Sequence, residues 1–215
     1  MSTQKSSEVL CPLCAKEFTA QGMGRHLCTC LEKNTSKVAK LNSKKKGFLH
    51  LKISTGISAD PYFLHIGMDQ NASLRVLDAF LRDIWLECCG HLSAFFAGDT
   101  FGSEELDMDA KIGHVLVPKQ SISYVYDFGS STELLITARS QHQGRLETKS
   151  GIYLLVRNPD PQILCAVCHK NVAEHVDSED IVFLCNECLE VVEYEQELLL
   201  PVVNSPRCGI CGYDG

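Results

Sequence analysis

A chain of 215 residues with 45% hydrophobic side chains can bury a real core, and its length suits one medium domain with small satellites. The net charge is −7, but residues 1–47 carry +6 and the remainder −13, so only the N-terminal arm would attract a phosphate backbone. The sequence shows no apolar run long enough for a membrane span and no signal-type leader, and twelve cysteines then point to metal binding in a reducing, cytoplasmic setting rather than to disulfides.

The first element is a Cys11-x2-Cys14 knuckle followed by Phe18, Met23, His26 and Cys30. A pair at this spacing offers two thiolates to one tetrahedral ion. His26 and Cys30 are four apart, so on a helix they share one face and can complete the set. Cys28, two residues from His26, would point elsewhere. Phe18 and Met23 would supply a small core, and zinc, worth on the order of 10–16 kcal/mol in finger peptides, would supply the folding energy. As a DNA reader the module is poorly equipped. Thr19, Gly22 and Arg25 align with the base-contact positions, Gly22 has no side chain, and Gly22 and Gly24 weaken the helix. Residues 1–31 are therefore expected to form a zinc-finger-like module, and 32–47, with Lys44-Lys45-Lys46, a basic linker.

Residues 48–158 carry the periodicities of a packed domain. Leu49, Leu51 and Ile53 alternate with His50 and Lys52, a strand with one buried face. A second strand is expected over Tyr62–Met68. Leu74, Leu77, Leu81, Ile84 and Cys88 then recur at steps of three and four, with Ser73 as cap and Gly90 as terminator. Phe80 and Trp85 widen that stripe, and Asp78 and Arg82 form an i,i+4 pair on the outer face. Cys88 continues the stripe and reads as core packing. After an ambiguous stretch at 99–118, best fitted by a short helix and loop, strands are predicted over 92–96, 122–128, 133–139 and 152–157. Gly129-Ser130-Ser131 makes a hairpin turn. The expected fold class is α+β, one long helix on a mainly antiparallel sheet.

Asn158-Pro159-Asp160-Pro161 ends this domain, since successive prolines break helix and ladder alike. Residues 159–215 follow as a zinc-ribbon-like module. Cys165, Cys168, Cys185 and Cys188 form two knuckles sixteen residues apart, a closed and hence structural tetrad. Cys208 and Cys211 are a further pair. They could complete a second site with His169 or His175, compete with another knuckle, or remain reduced. Their Cys-Gly-Ile-Cys-Gly-Tyr run also looks like a rubredoxin knuckle, which keeps iron open beside zinc.

The middle and C-terminal parts resemble the plasmid pRiA4b ORF-3-like family. The resemblance rests on the helix run Ser73–Glu87, the segment Cys88-Cys89-Gly90-His91-Leu92-Ser93-Ala94-Phe95, the hairpin Tyr124-Val125-Tyr126-Asp127-Phe128-Gly129, and the tail from Leu200 to Tyr213. It covers roughly residues 48–215 and implies an α+β domain without an established biochemical role. The hairpin departs from the family's Gly-Asp-x-Trp continuation, running Gly129-Ser130-Ser131-Thr132. Longer family tails carry further Cys and His ligands that this chain lacks, which implies one metal in the ribbon.

No nucleophile elbow, phosphate loop, metalloprotease helix or dinucleotide fingerprint occurs. Asp107 and Asp109 read as a solvated pair rather than a cation site, and His91 and Asp127 as strand-end and turn residues, respectively, rather than an acid–base pair. The sequence thus predicts a non-enzymatic zinc-binding adaptor with two structural Zn2+ ions per chain, contacting a protein or nucleic-acid partner. The alternative is non-specific nucleic-acid binding through the finger and the basic arm.

Overall fold

The computed structural model describes residues 8–40, 47–57, 61–191 and 196–215, so the Lys44–Lys46 run lies outside the described residues. In chain order, strands β1 (Glu8–Leu10) and β2 (Glu17–Thr19) pair and lead into helix α1 (Ala20–Asn34) and the short β3 (Ala39–Lys40). β4 (Gly47–Ser54), β5 (Phe63–Asp69), α2 (Leu74–Leu81), β6 (Ser93–Ala97), β7 (Glu105–Leu106), α3 (Ile112–Val115), β8 (Ser121–Tyr126), β9 (Thr132–Gln143), β10 (Arg145–Leu146) and β11 (Ile152–Arg157) follow. The C-terminal part holds β12 (His175–Asp177), β13 (Val182–Leu184), α4 (Asn186–Leu189) and β14 (Leu199–Pro201).

Among the described residues, the central sheet has seven strands in the order β11-β5-β4-β9-β8-β6-β7, every neighbouring pair antiparallel. The fold is α+β, as the alternation predicts. The ambiguous stretch resolves into β7 and the single turn of α3.

The predicted long helix is a shorter α-helix joined to a π-helical turn over Arg82–Leu86. The wider turn inserts one residue into the apolar register. Leu74, Leu77 and Leu81 are fully buried as predicted, but Trp85 and Leu86 replace Ile84 as the deep residues. The segment ends at Glu87, which is extended and donates its N–H to Arg82 O at 2.9 Å, so Cys88 and Gly90 lie beyond the helix. Asp78 and Arg82 pair at 2.9 Å, yet not on an outer face. Asp78 Oδ1 also accepts from Tyr124 Oη at 2.8 Å and Ser93 Oγ at 2.6 Å, and Arg82 donates to His91 O at 2.7 Å.

The longest α-helix in the described residues is α1, and it covers the opposite face of the sheet. Met23, Leu27 and Leu31 share one apolar cluster with Phe48, Phe63, Leu146, Leu155 and Val156. Both faces of β4 are therefore buried, not one: Leu49, Leu51 and Ile53 face the α2 layer while Phe48 and His50 face the finger. Helix α1 runs to Asn34, into the stretch expected to be linker. Among the described residues, no helix is long and apolar enough to cross a membrane.

Candidate metal centres

At the N-terminus, the β1–β2 turn presents Cys11 and Cys14, and α1 presents His26 and Cys30 one turn apart. The four ligand atoms lie within 4.8 Å of one another. Cys11 Sγ is 3.9 Å from Cys30 Sγ, and Cys14 Sγ is 3.3 Å from His26 Nε2. A tetrahedral zinc ion has Zn–S bonds of about 2.3 Å and Zn–N bonds of about 2.0 Å. Its polyhedron then has edges of about 3.8 Å between sulfurs and about 3.5 Å between sulfur and nitrogen. A disulfide would need about 2.05 Å, so the spacing matches coordination and not oxidation. Ala15, just after the second cysteine, has φ +57° and closes the turn by donating to Cys11 O at 2.8 Å. Phe18 stacks on His26 with ring centroids 3.9 Å apart, fixing the imidazole plane. Cys28 points elsewhere, as expected, toward Gly24 O at 3.3 Å and His50 Nδ1 at 3.9 Å.

Two of the three DNA-readout positions are structurally unsuited to bases. Gly22 has no side chain, and the Thr19 hydroxyl accepts from Gly22 N at 3.2 Å as the helix N-cap. The face of α1 that carries Met23, Gly24 and Leu27 is spent on the sheet.

At the other end, Cys165, Cys168, Cys185 and Cys188 also place their sulfurs within 4.8 Å of one another, with Cys168 and Cys185 at 3.9 Å. His169 follows the first knuckle with φ +55° and donates its N–H to Cys165 O at 2.9 Å, repeating the geometry at Ala15. The second knuckle turns at the start of α4. Cys165 and Cys185 are buried, and Cys168 and Cys188 half-buried. Backbone hydrogen bonding, first from Cys168, draws the Cys165 thiol down to about 6, while desolvation and then its neighbouring thiols push Cys188 up to about 12. Burial likewise pushes Cys30 up to about 12. Closely spaced thiols cannot all ionise against one another, and a divalent cation bound there would relieve that conflict by stabilising the thiolates.

Cys208 and Cys211 do not meet His169 or His175. His175 Nε2 is engaged with Asn186 Oδ1 at 2.9 Å. Cys208 is buried beside Val203 N at 3.4 Å. Cys211 instead joins Cys88, Cys89 and His91 in a third group whose ligand atoms lie within 4.8 Å. Sequence reasoning missed this group by treating Cys88 as helix core and by seeking partners for the last pair only at His169, His175 or the other knuckles. The one available signal was the compact Cys88-Cys89-Gly90-His91 run beside a spare cysteine pair.

His91 and Asp127 do approach, at 3.5 Å between Nε2 and Oδ2. That carboxylate, however, receives Arg207 Nη2 at 2.6 Å and Gly129 N at 2.9 Å, and the same His91 nitrogen faces two thiols. Arg207 donates first in holding Asp127 down to about 2. Asp109 is taken up in a two-pronged pair with Arg75 at 2.9 and 3.0 Å, and Asp107 caps the backbone of Asp109.

No family model and no curated protein matches this chain. Among solved structures it is similar to a protein of unknown function, MM3350, from Methanosarcina mazei Go1. The identity is 16% and the TM-score 0.44, over 53% of this chain and 70% of that one. A likeness of that size carries no functional argument.

Proposed function

We propose that the chain is a zinc-binding interaction protein, with structural ions at both ends of an α+β core and no reaction of its own. The observation that carries this reading is the closure of the two terminal tetrads. Each brings four protein ligand atoms within 4.8 Å of one another, so a tetrahedral ion held there would need no water to complete its coordination. An exposed apolar pair supports protein contact as the outlet. Leu92 is 78% and Phe128 53% exposed, and they flank the adjoining ends of β6 and β8, where Asp127 N–H donates to Leu92 O at 2.9 Å. The membership of residues 48–215 in the pRiA4b ORF-3-like family and a cytoplasmic location belong to the same proposal, on the sequence grounds given above.

Nucleic-acid binding through the finger and basic arm is the less favoured reading, because Thr19 serves as a cap and the apolar face of α1 is buried. One preparation tests both. Elemental analysis of the gently purified full chain is expected to give at least the two zinc equivalents of the terminal tetrads, with a chelator unfolding both ends. Fewer than one equivalent would refute the scaffold. Steeply salt-dependent binding to duplex DNA that vanishes on deletion of residues 1–47 would favour the nucleic-acid reading instead.

A further inference from the structure

Cys88, Cys89, His91 and Cys211 are drawn from two parts of the chain that knuckle spacing does not connect. His91 Nε2 lies 3.1 Å from Cys89 Sγ and 3.2 Å from Cys211 Sγ. Cys89 Sγ is 3.8 Å from Cys211 Sγ and 3.8 Å from Cys88 Sγ. These are the edges of a coordination tetrahedron again, about 3.8 Å for sulfur pairs and a little under about 3.5 Å for sulfur and nitrogen.

Both halves of the group are held in place by contacts that do not involve the ligand atoms of Cys89, His91 or Cys211. On the core side, the π-helical turn ends at Leu86 and Gly90 reverses the chain at φ +81°, its N–H donating to Glu87 Oε1 at 2.5 Å. The reversal returns His91 over Cys89. On the tail side, Ser205 Oγ donates to Trp85 O at 2.6 Å. Arg207 is fully buried and donates to Asp127 Oδ2 at 2.6 Å, Ser130 O at 3.0 Å, Thr132 Oγ1 at 3.2 Å and Cys88 Sγ at 3.4 Å. Four residues on, Cys211 sits at φ +54°, a conformation L residues rarely adopt, and Gly212 follows at φ +68°. Left-handed residues also close the knuckles at Ala15 and His169.

We propose that this group is a third metal centre, a zinc-class ion that clasps the C-terminal tip to the core and exchanges more readily than the terminal ions. Three thiolates and an imidazole select a borderline-soft ion. The difference in exchange follows from exposure. Each terminal tetrad has two buried cysteines, whereas here Cys89 and Cys211 are exposed and Cys88 and His91 half-buried. A competing chelator or thiol reagent reaches this ion first. The inference rests on the zinc-class reading of the terminal tetrads only for the contrast in exchange.

The test counts zinc per full-length chain and follows its release to a chromogenic chelator. Wild type is expected to hold three equivalents, one for each group, with one released ahead of the others. Cys211→Ser loses the fast equivalent and keeps the slow ones, with Trp85 fluorescence unchanged because Arg207 and Ser205 still anchor the tail. Cys89→Ser, on the other side of the centre, gives the same loss, and Cys208→Ser loses nothing. A wild type with only slow equivalents, or a fast equivalent that survives both Cys211→Ser and Cys89→Ser, overturns the clasp. Failure of the terminal reading looks different: the slow equivalents are missing while the fast one remains.

Discussion

Replacing Arg207 by methionine tests how the tail is held, and its cost can be worked from the structure. The guanidinium is 0% exposed and stacks on Tyr126 with its carbon 4.8 Å from the ring centroid. Besides the Asp127 carboxylate at 2.6 Å it satisfies a carbonyl, a hydroxyl and the Cys88 sulfur. Methionine fills a similar volume but removes the guanidinium donor from each of these acceptors, leaving the Asp127 carboxylate its Gly129 N–H bond but not its buried counter-charge. Removing one partner of a buried ion pair costs about 3–5 kcal/mol, since the other charge stays behind unpaired. With a urea dependence of about 2 kcal/mol per molar, the unfolding midpoint falls by about 2 M. The chain has one tryptophan, Trp85, which is fully buried and whose carbonyl accepts from Ser205 in the same tail. Its fluorescence, at fixed free zinc, is the readout. Asp127→Asn keeps the left-handed backbone at φ +64°, which asparagine tolerates. Combined with Arg207→Met it should cost less than the sum of the two single changes. A midpoint shift under about 0.5 M for Arg207→Met, worth about 1 kcal/mol, is what an exposed pair would give and would refute the anchor.

Two further outcomes concern the seam between finger and sheet. His50 and His65 are fully buried, with Nε2 of one 3.0 Å from Nδ1 of the other, and His142 packs nearby. Burial first, then Lys52 and Arg139, depresses His65 to about 3, and burial depresses His50 and His142 as well. The folded state therefore keeps the neutral ring, while the unfolded chain takes the proton near pH 6.5. The stability held by His65 is complete above about 6.5 and drains at about 1.4 kcal/mol per pH unit as pH falls toward the folded value. Imidazole NMR should show His65 neutral at pH 5, and a midpoint near 6.5 in the folded chain would contradict its burial. Gly24→Ala should lower the melting temperature although alanine gains about 1 kcal/mol in helix propensity, because the new Cβ would lie 3.0 Å from His65 Cε1. A raised melting temperature would show that α1 does not press on the sheet.

The terminal tetrads were legible in the sequence because a knuckle is a local object: two residues between cysteines, or three between a histidine and a cysteine on a helix, already define which atoms can meet. The strands were legible for the same reason, since alternation is a local consequence of the pleat, and β11 spans the predicted Ile152–Arg157. Three features depended on tertiary packing. The finger helix lies on the sheet, which buried His50 and His65 and turned Gly24 from a helix flaw into a close-approach position. The π-helical turn moved the apolar register from Ile84 to Trp85. Cys211 met Cys89 across 122 positions because Arg207 is seated between Asp127, Ser130 and Thr132. Spacing along a chain encodes which neighbours share a face, but it carries no information about which distant loops a buried guanidinium will draw together.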